Sequence, residues 1–337
     1  MRFPEPFLAA HGYGAAEREP LPADASHRRY ARLRGGPRPA LLMDAPPPED
    51  VRPFADLARH LLAAGLSVPE ILAEDAAAGF LVVEDFGERT HAGLLDAGAD
   101  PVPLYEEAAE ALAALHAAPP PPGLPRWGAE AMAKATAATF LDWWWPAAFG
   151  AAPAPEVRAG LDAALRATLA PFAGARGIVH RDFFPANLMR LPDRGGPRRT
   201  GILDFQDAAL GHPAYDLASL VEDARRDVAP AVRRAALARY LALRPGLDRG
   251  EFLAALAAHA AQRHLRVAAL WVRLDRRDGK PGYLRHGPRC WALLDRALSQ
   301  PACAPLRAFM DAHVPPEARR NPPGRPLVAG VSAGAGE

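Results

Sequence analysis

Apolar and polar positions along the chain change pattern near residue 87. Before it, short runs dominate: Arg29–Leu33 and Ala40–Asp44 read as two strands joined by a hairpin through Gly35, Gly36 and Pro37. Val51, Phe54, Leu57, Leu61 and Leu62 then recur at helical spacing, and Gly65 is a natural stop. Val68–Leu72 and Phe80–Val83 predict two more strands, with an acidic turn at Glu74 and Asp75 between them. The first twenty residues, rich in Pro, Ala and Gly, predict a short helix and an extended lead-in. Strand, strand, helix, strand, strand makes a small α+β lobe.

After Phe86–Gly87 helical spacing takes over. Leu104–Ala117 predicts a helix stopped by Pro119–Pro122, and residues 129–148 and 155–173 predict two more. Gly177–His180 and Gly201–Phe205 read as short strands around a loop and a polar hairpin at Asp193–Arg199. From 214 to 313 the pattern is helical throughout. From Glu317 the chain is Pro/Gly/Ala-rich without periodicity, the signature of a disordered tail. The expected division is a small lobe over 1–87, a large helical lobe over 88–316 and a tail over 317–337, with a ligand crevice between the lobes.

Composition narrows the function classes. At 337 residues, half of them hydrophobic, the chain has the core of about two domains. Forty basic residues against thirty-nine acidic ones argue against a nucleic-acid partner, which needs a large positive excess. Cys290 and Cys303 are too few for a disulfide scaffold or a four-cysteine zinc site. Pro4, Glu5 and Pro6 interrupt the apolar start that a secretory signal needs, and no run approaches the roughly 18 to 20 apolar residues of a membrane span. A cytoplasmic protein with no membrane partner is expected. Lys134 and Lys280 are its two lysines, the remaining basic residues being arginines, as a GC-rich genome encodes.

The chemistry concentrates in His180-Arg181-Asp182-Phe183-Phe184-Pro185-Ala186-Asn187, which follows the apolar run Gly177-Ile178-Val179. A second apolar run ends in Leu203-Asp204-Phe205-Gln206-Asp207. Phosphoryl transfer from a nucleotide needs metal ligands, a residue that orients the attacking hydroxyl, and a phosphate clamp. Asp182 suits the hydroxyl, and Asn187 and Asp204 are hard oxygen donors suited to Mg2+. His, Asp and Asn at three fixed positions would occur by chance in roughly 4% of chains of this length, and the flanking strands make chance rarer.

This arrangement resembles the catalytic loop of the aminoglycoside phosphotransferase and choline kinase-like superfamily. The resemblance implies a bilobal, protein-kinase-like α+β fold with a nucleotide-binding small lobe and a catalytic, substrate-binding large lobe, and ATP and Mg2+ as cofactors. It implies Asp182 as the base, Asn187 and Asp204 as metal ligands, and His180 and Asp216 as structural support. Leu115-His116 before Pro119, and Gly211-His212-Pro213-Ala214-Tyr215-Asp216-Leu217-Ala218, look like further elements of that family. The small lobe departs from the kinase pattern: Ala40–Asp44 has no lysine, and the first turn, Ala23–Tyr30, has no glycine loop. Ser26 with Arg28 or Arg29 is the expected replacement, since arginine forks phosphate well. Glu84 and Phe86 lie in the expected inter-lobe hinge, whose backbone would read adenine.

Asp24–Tyr30 (Asp-Ala-Ser-x-Arg-Arg-Tyr), Met43-Asp44-Ala45-Pro46-Pro47, Asp204–Ala208, Leu220–Asp227 and Arg276–Tyr283 are similar, in order and spacing, to a narrower group. These are the anomeric kinases that phosphorylate N-acetylmuramate and N-acetylglucosamine at C1 in cell-wall recycling. Charge points the same way: between Arg263 and Arg289 eight Lys/Arg stand against Asp275 and Asp278. A polycationic aminoglycoside calls for carboxylates, an acidic sugar for arginines. Arg225, Arg226, Arg263 and Asp207 are the candidate substrate contacts, and Trp143-Trp144-Trp145 offers a stacking face of which at least one ring is core. The expected partners are an amino sugar and a nucleotide, with the chain a monomer. Two other readings stay open: an aminoglycoside-type phosphotransferase, and a non-catalytic nucleotide sensor.

Overall fold

The structure, a computed structural model, describes residues 4–22, 28–174 and 177–324. In chain order it begins with α1 (Glu5–Ala10), β1 (Glu17–Pro20), β2 (Arg29–Arg34), β3 (Ala40–Asp44), α2 (Arg52–Ala63), β4 (Ile71–Asp75) and β5 (Phe80–Glu84). Helices α3 (His91–Asp96) and α4 (Pro101–Ala117), the short β6 (Arg126–Trp127), and α5 (Ala129–Thr139), α6 (Trp145–Phe149) and α7 (Pro155–Leu169) follow. Strands β7 (Gly177–Val179), β8 (Leu188–Arg190), β9 (Thr200–Ile202) and β10 (Ala209–Gly211) lead into α8 (Ala214–Val221), α9 (Pro230–Ala242), α10 (Arg249–Asp278), α11 (Gly287–Leu298) and α12 (Ala304–His313). The chain divides into two compact units.

The first unit comprises Met1–Pro125, Gly177–Val221 and Ala229–Gly246. Its five-stranded sheet runs β1-β2-β3-β5-β4, each neighbouring pair antiparallel. The apolar strands β3 and β5 take the centre, and the polar β1, ending in Pro20, takes an edge, where a missing N–H costs no ladder bond. Phe7, Leu8 and Tyr13 cover Leu33, Leu42, Phe80 and Val82 to form a core. A Cβ on Gly36 would collide with the Tyr13 ring, so this hairpin position requires glycine. The strand expected at Val68–Leu72 begins instead at Ile71 and carries Glu74 and Asp75 inside it. Pro69 lacks the N–H a ladder needs, and Ser67 bridges to Gly201 instead.

The second unit comprises Arg126–Arg176, Glu222–Val228 and Leu247–Glu337. Helix α10, 30 residues long, packs against α5 and α11, and α7 packs against α5 and α12. The helix expected over 129–148 is broken by a π-turn at Phe140–Trp144. That turn buries Trp144, stacked on Phe140 at 4.7 Å, while Trp143 and Trp145 stay half-buried. The stretch expected to be helical from 214 to 313 is interrupted at Glu222–Ala229, which carries Arg225 and Arg226. Beyond Glu317, residues 317–324 are described and held: Trp144 Nε1 donates to the Arg320 carbonyl and Trp291 Nε1 to Asn321 Oδ1, both at 2.9 Å. Among the described residues no helix is long and apolar enough to cross a membrane.

Two buried imidazoles make stability pH-dependent. His91 in the first unit and His259 in the second are 1% and 3% exposed, and burial pushes both down to about 4. In the unfolded chain each titrates near about 6.5. As pH falls below that value the unfolded chain takes up protons that the folded one refuses, so stability is lost between about pH 6.5 and 4. Each contributes up to about 3 kcal/mol across that window. The urea midpoint is expected to fall between pH 7 and 5, and less steeply in His259→Leu; a midpoint flat across that range contradicts the account.

Candidate active site

Strand β7 is held by β10, with Val179 opposite Ala209. The chain leaves it at His180, makes a 3-10 turn over Pro185–Asn187 and enters β8, which pairs with β9. Leu188 stands opposite Ile202, so the residues just beyond this ribbon also meet: Leu203 N donates to the Asn187 carbonyl at 2.9 Å. Asn187 and Asp204 are thereby neighbours. Asn187 Nδ2 donates to the Asp182 carbonyl at 2.9 Å and lies 3.5 Å from Asp204 Oδ2. Three of the residues singled out from sequence converge.

Two buried groups lock the loop. Asp216, on α8 and fully buried, accepts from His180 N at 2.5 Å and Arg181 N at 2.8 Å. His116 Nε2 also donates to it, at 3.3 Å, while His116 Nδ1 accepts from Tyr240 at 2.7 Å. Burial pushes the His116 imidazole down against the pull of Asp216, so it bonds as a neutral ring. His180 Nε2 donates to the Leu203 carbonyl at 2.8 Å and its Nδ1 accepts from Asp182 N at 3.3 Å, which joins the two motif segments through one imidazole. Arg181 and Asp204 have φ of +78° and +59°. Left-handed backbone costs an L residue about 1 kcal/mol or more, and the Asp216 bonds hold it at Arg181.

Asp204 is exposed, yet crowding by protein atoms, with Asp182 and Asp207 nearby, raises its carboxyl, against a Gln206 Nε2 donating at 2.6 Å. Among the described residues no group of three or more His, Cys, Asp or Glu is arranged to hold an ion. A Mg2+ that arrives with nucleotide phosphates does not need one: it keeps waters and phosphate oxygens and takes one or two protein ligands. Asn187, whose amide nitrogen is committed to the Asp182 carbonyl and so leaves Oδ1 as a donor atom, fits that requirement together with Asp204. Asp207 is exposed, and its carbonyl accepts from Arg181 Nη1 at 3.1 Å.

The sheet places a cation beside this group. Arg28 Nε donates to Glu49 at 3.2 Å, and its guanidinium lies 5.9 Å from the Phe54 ring, which packs at 4.7 Å on Phe205, the residue after Asp204. Tyr30, pushed up by burial, feels the charges of Arg28, Asp204 and Glu49. Arg29 is exposed, and Ser26 lies outside the described residues. Glu84 accepts from Arg194 at 2.5 Å, and that guanidinium stacks over Phe86 at 5.1 Å. Glu49 escaped the sequence reading, since it sits in no pattern that marks it, and Gln206, inside the Leu203–Asp207 motif, was not singled out there. Arg225, Arg226 and Arg263 belong to the second unit.

Residues 17–253 match the phosphotransferase enzyme family. The chain belongs to that family. It is 41% identical to an N-acetylmuramate/N-acetylglucosamine kinase of Caulobacter vibrioides, over 93% of this chain and 96% of that one. It is 38% identical to a kinase of the same name from Pseudomonas aeruginosa, over 88% and 89%. Among solved structures, a choline/ethanolamine kinase family protein from Mesorhizobium loti superposes with a TM-score of 0.60 at 17% identity, over 91% of this chain and 95% of that one. A thermostable mutant of aminoglycoside phosphotransferase APH(4)-Ia gives 0.60 at 19%, over 88% and 100%. At such identities the likeness is one of fold, the protein-kinase-like α+β fold expected from sequence.

Replacing Asp216 by Ala leaves the His180 and Arg181 amides without their acceptor in a buried setting. A stability loss of about 3 kcal/mol or more is expected by chemical denaturation. Asp216→Asn, which keeps one acceptor oxygen, is expected to lose less; equal stability in all three proteins would refute the account.

Proposed function

We propose that this protein is an ATP- and Mg2+-dependent sugar kinase that phosphorylates the anomeric C1 hydroxyl of N-acetylmuramate and N-acetylglucosamine in peptidoglycan recycling. The convergence of Asp182, Asn187 and Asp204 on one ribbon end carries the phosphotransferase part. The 41% identity to an N-acetylmuramate/N-acetylglucosamine kinase over nearly the whole chain supports the substrate. The lobes assigned to nucleotide and to catalysis with substrate are 1–87 and 88–316, and the protein works as a cytoplasmic monomer.

In this reading Asp182 orients the C1 hydroxyl and takes its proton as the C1 oxygen attacks the γ-phosphorus of ATP, while the bond to the β-phosphate oxygen breaks and ADP leaves. An anomeric hydroxyl is more acidic than an ordinary alcohol, so orientation supplies most of what is needed. Asn187 and Asp204 hold Mg2+, which when bound neutralises charge on the phosphates. Arg28 clamps the phosphates, together with Ser26, and Glu49 aims its guanidinium, standing in for the lysine–glutamate pair of other kinases. Arg29, exposed on the strand, is the weaker candidate for the clamp. Backbone groups near Glu84 and Phe86 read adenine. Asp207, Arg225, Arg226 and Arg263 bind sugar, and His180 and Asp216 keep the loop in shape.

The test supplies Mg-ATP with a panel of free amino sugars and aminoglycosides, and identifies products by phosphorus NMR. A sugar 1-phosphate is expected, and Asp182→Ala is expected to lower kcat about a thousandfold. Phosphorylation of an aminoglycoside and of no amino sugar would replace this reading with an antibiotic-type one. ATP binding with equal inactivity in wild type and mutant would make the protein a sensor. Arg28→Ala and Glu49→Gln are each expected to lower kcat/KM for ATP by about 10- to 100-fold, and Arg29→Ala by less than about twofold.

A further inference from the structure

Arg263 lies in the middle of α10 with 1% of its surface exposed, and neither its Nε nor its Nη1 has a hydrogen-bond partner. Arginine cannot escape burial by losing its proton. A buried charge with idle donors is therefore among the costliest arrangements a fold can retain. A buried polar group left in this state calls for an explanation, and a ligand that completes it is a natural one.

The surroundings indicate what kind. The non-helical segment Glu222–Val228 brings Asp223, buried at 4% exposure, whose Oδ1 accepts from Arg225 N at 2.8 Å. The Arg225 guanidinium lies over the Trp271 ring at 5.2 Å, and that ring is stacked on Tyr283 at 5.3 Å. Arg225, Arg226 and Arg263 all bear on the single carboxylate of Asp223. Arg263 thus keeps idle donors beside a carboxylate that other guanidiniums also face. A flat fork of N–H donors in such a place matches a carboxylate better than it matches a neutral hydroxyl.

We infer that Arg263 reads a carboxylate on the substrate and so sets the preference for an acidic amino sugar over its neutral counterpart. The inference rests on the amino-sugar reading above and goes beyond it by naming the residue that separates the two sugars. N-acetylmuramate carries a lactyl carboxylate, and N-acetylglucosamine does not. Arg263 is here a specificity residue, not a catalytic one.

Isothermal titration of the full chain with each sugar, without ATP, tests this. Arg263→Gln is expected to weaken N-acetylmuramate binding about 30-fold and N-acetylglucosamine binding less than about threefold, with Arg263→Lys recovering part of the loss. A second measurement needs no variant: on the wild-type chain, the methyl ester of N-acetylmuramate is expected to bind about 30-fold more weakly than the acid. An ester that binds as well as the acid overturns the inference. So does an equal loss for both sugars in a variant whose thermal midpoint is unchanged. Wild type that binds neither sugar rejects the amino-sugar reading itself, and the inference with it.

Discussion

The candidate site depends on one short antiparallel ribbon. Three residues of β8 pair with three of β9, and the register that sets Leu188 against Ile202 leaves Asn187 and Leu203 bonded at the open end. A slip of one residue would turn every side chain of one strand to the opposite face, and Asn187 would no longer lie beside Asp204. Leu188, Met189 and Ile202 are buried, so the register is enforced by the core rather than by the loop that uses it.

Around the ribbon, polar groups are fixed by buried and partly buried bonds. The Asp216 carboxylate takes two backbone amides and one imidazole, and His180 uses both ring nitrogens to tie its own loop to Leu203. These bonds also hold a left-handed Arg181, a conformation an isolated chain would abandon. Strain gathered at the loop and bonds gathered beneath it are two views of one device: the loop is preorganised.

In the proposed reading, phosphate is held without a strand lysine. A lysine is a hydrated point charge on a flexible stem, whereas an arginine offers a planar fork that can bond a carboxylate on one edge and a phosphate on another. Arg28 has such a carboxylate in Glu49 and an aromatic neighbour in Phe54. The same preference for guanidinium recurs on α10 of the other unit, where Arg263 is buried outright.

Local pattern and composition determined a good deal. Helical spacing and prolines gave α2, α4 and α7, the glycine hairpin gave β2 and β3, and the spacing of Asp182, Asn187 and Asp204 marked residues that the fold brings together. These features are written in short windows, where periodicity and turn chemistry act locally. Tertiary structure alone decided the rest. The π-turn at Phe140–Trp144 and the break at Glu222–Ala229 fall where the local sequence favours helix, and packing overrides it. Glu49 meets Arg28 from 21 residues away, and Asp216 reaches His180 from 36. No window of sequence contains such a pair, because what joins them is the closure of strands and helices around a shared core.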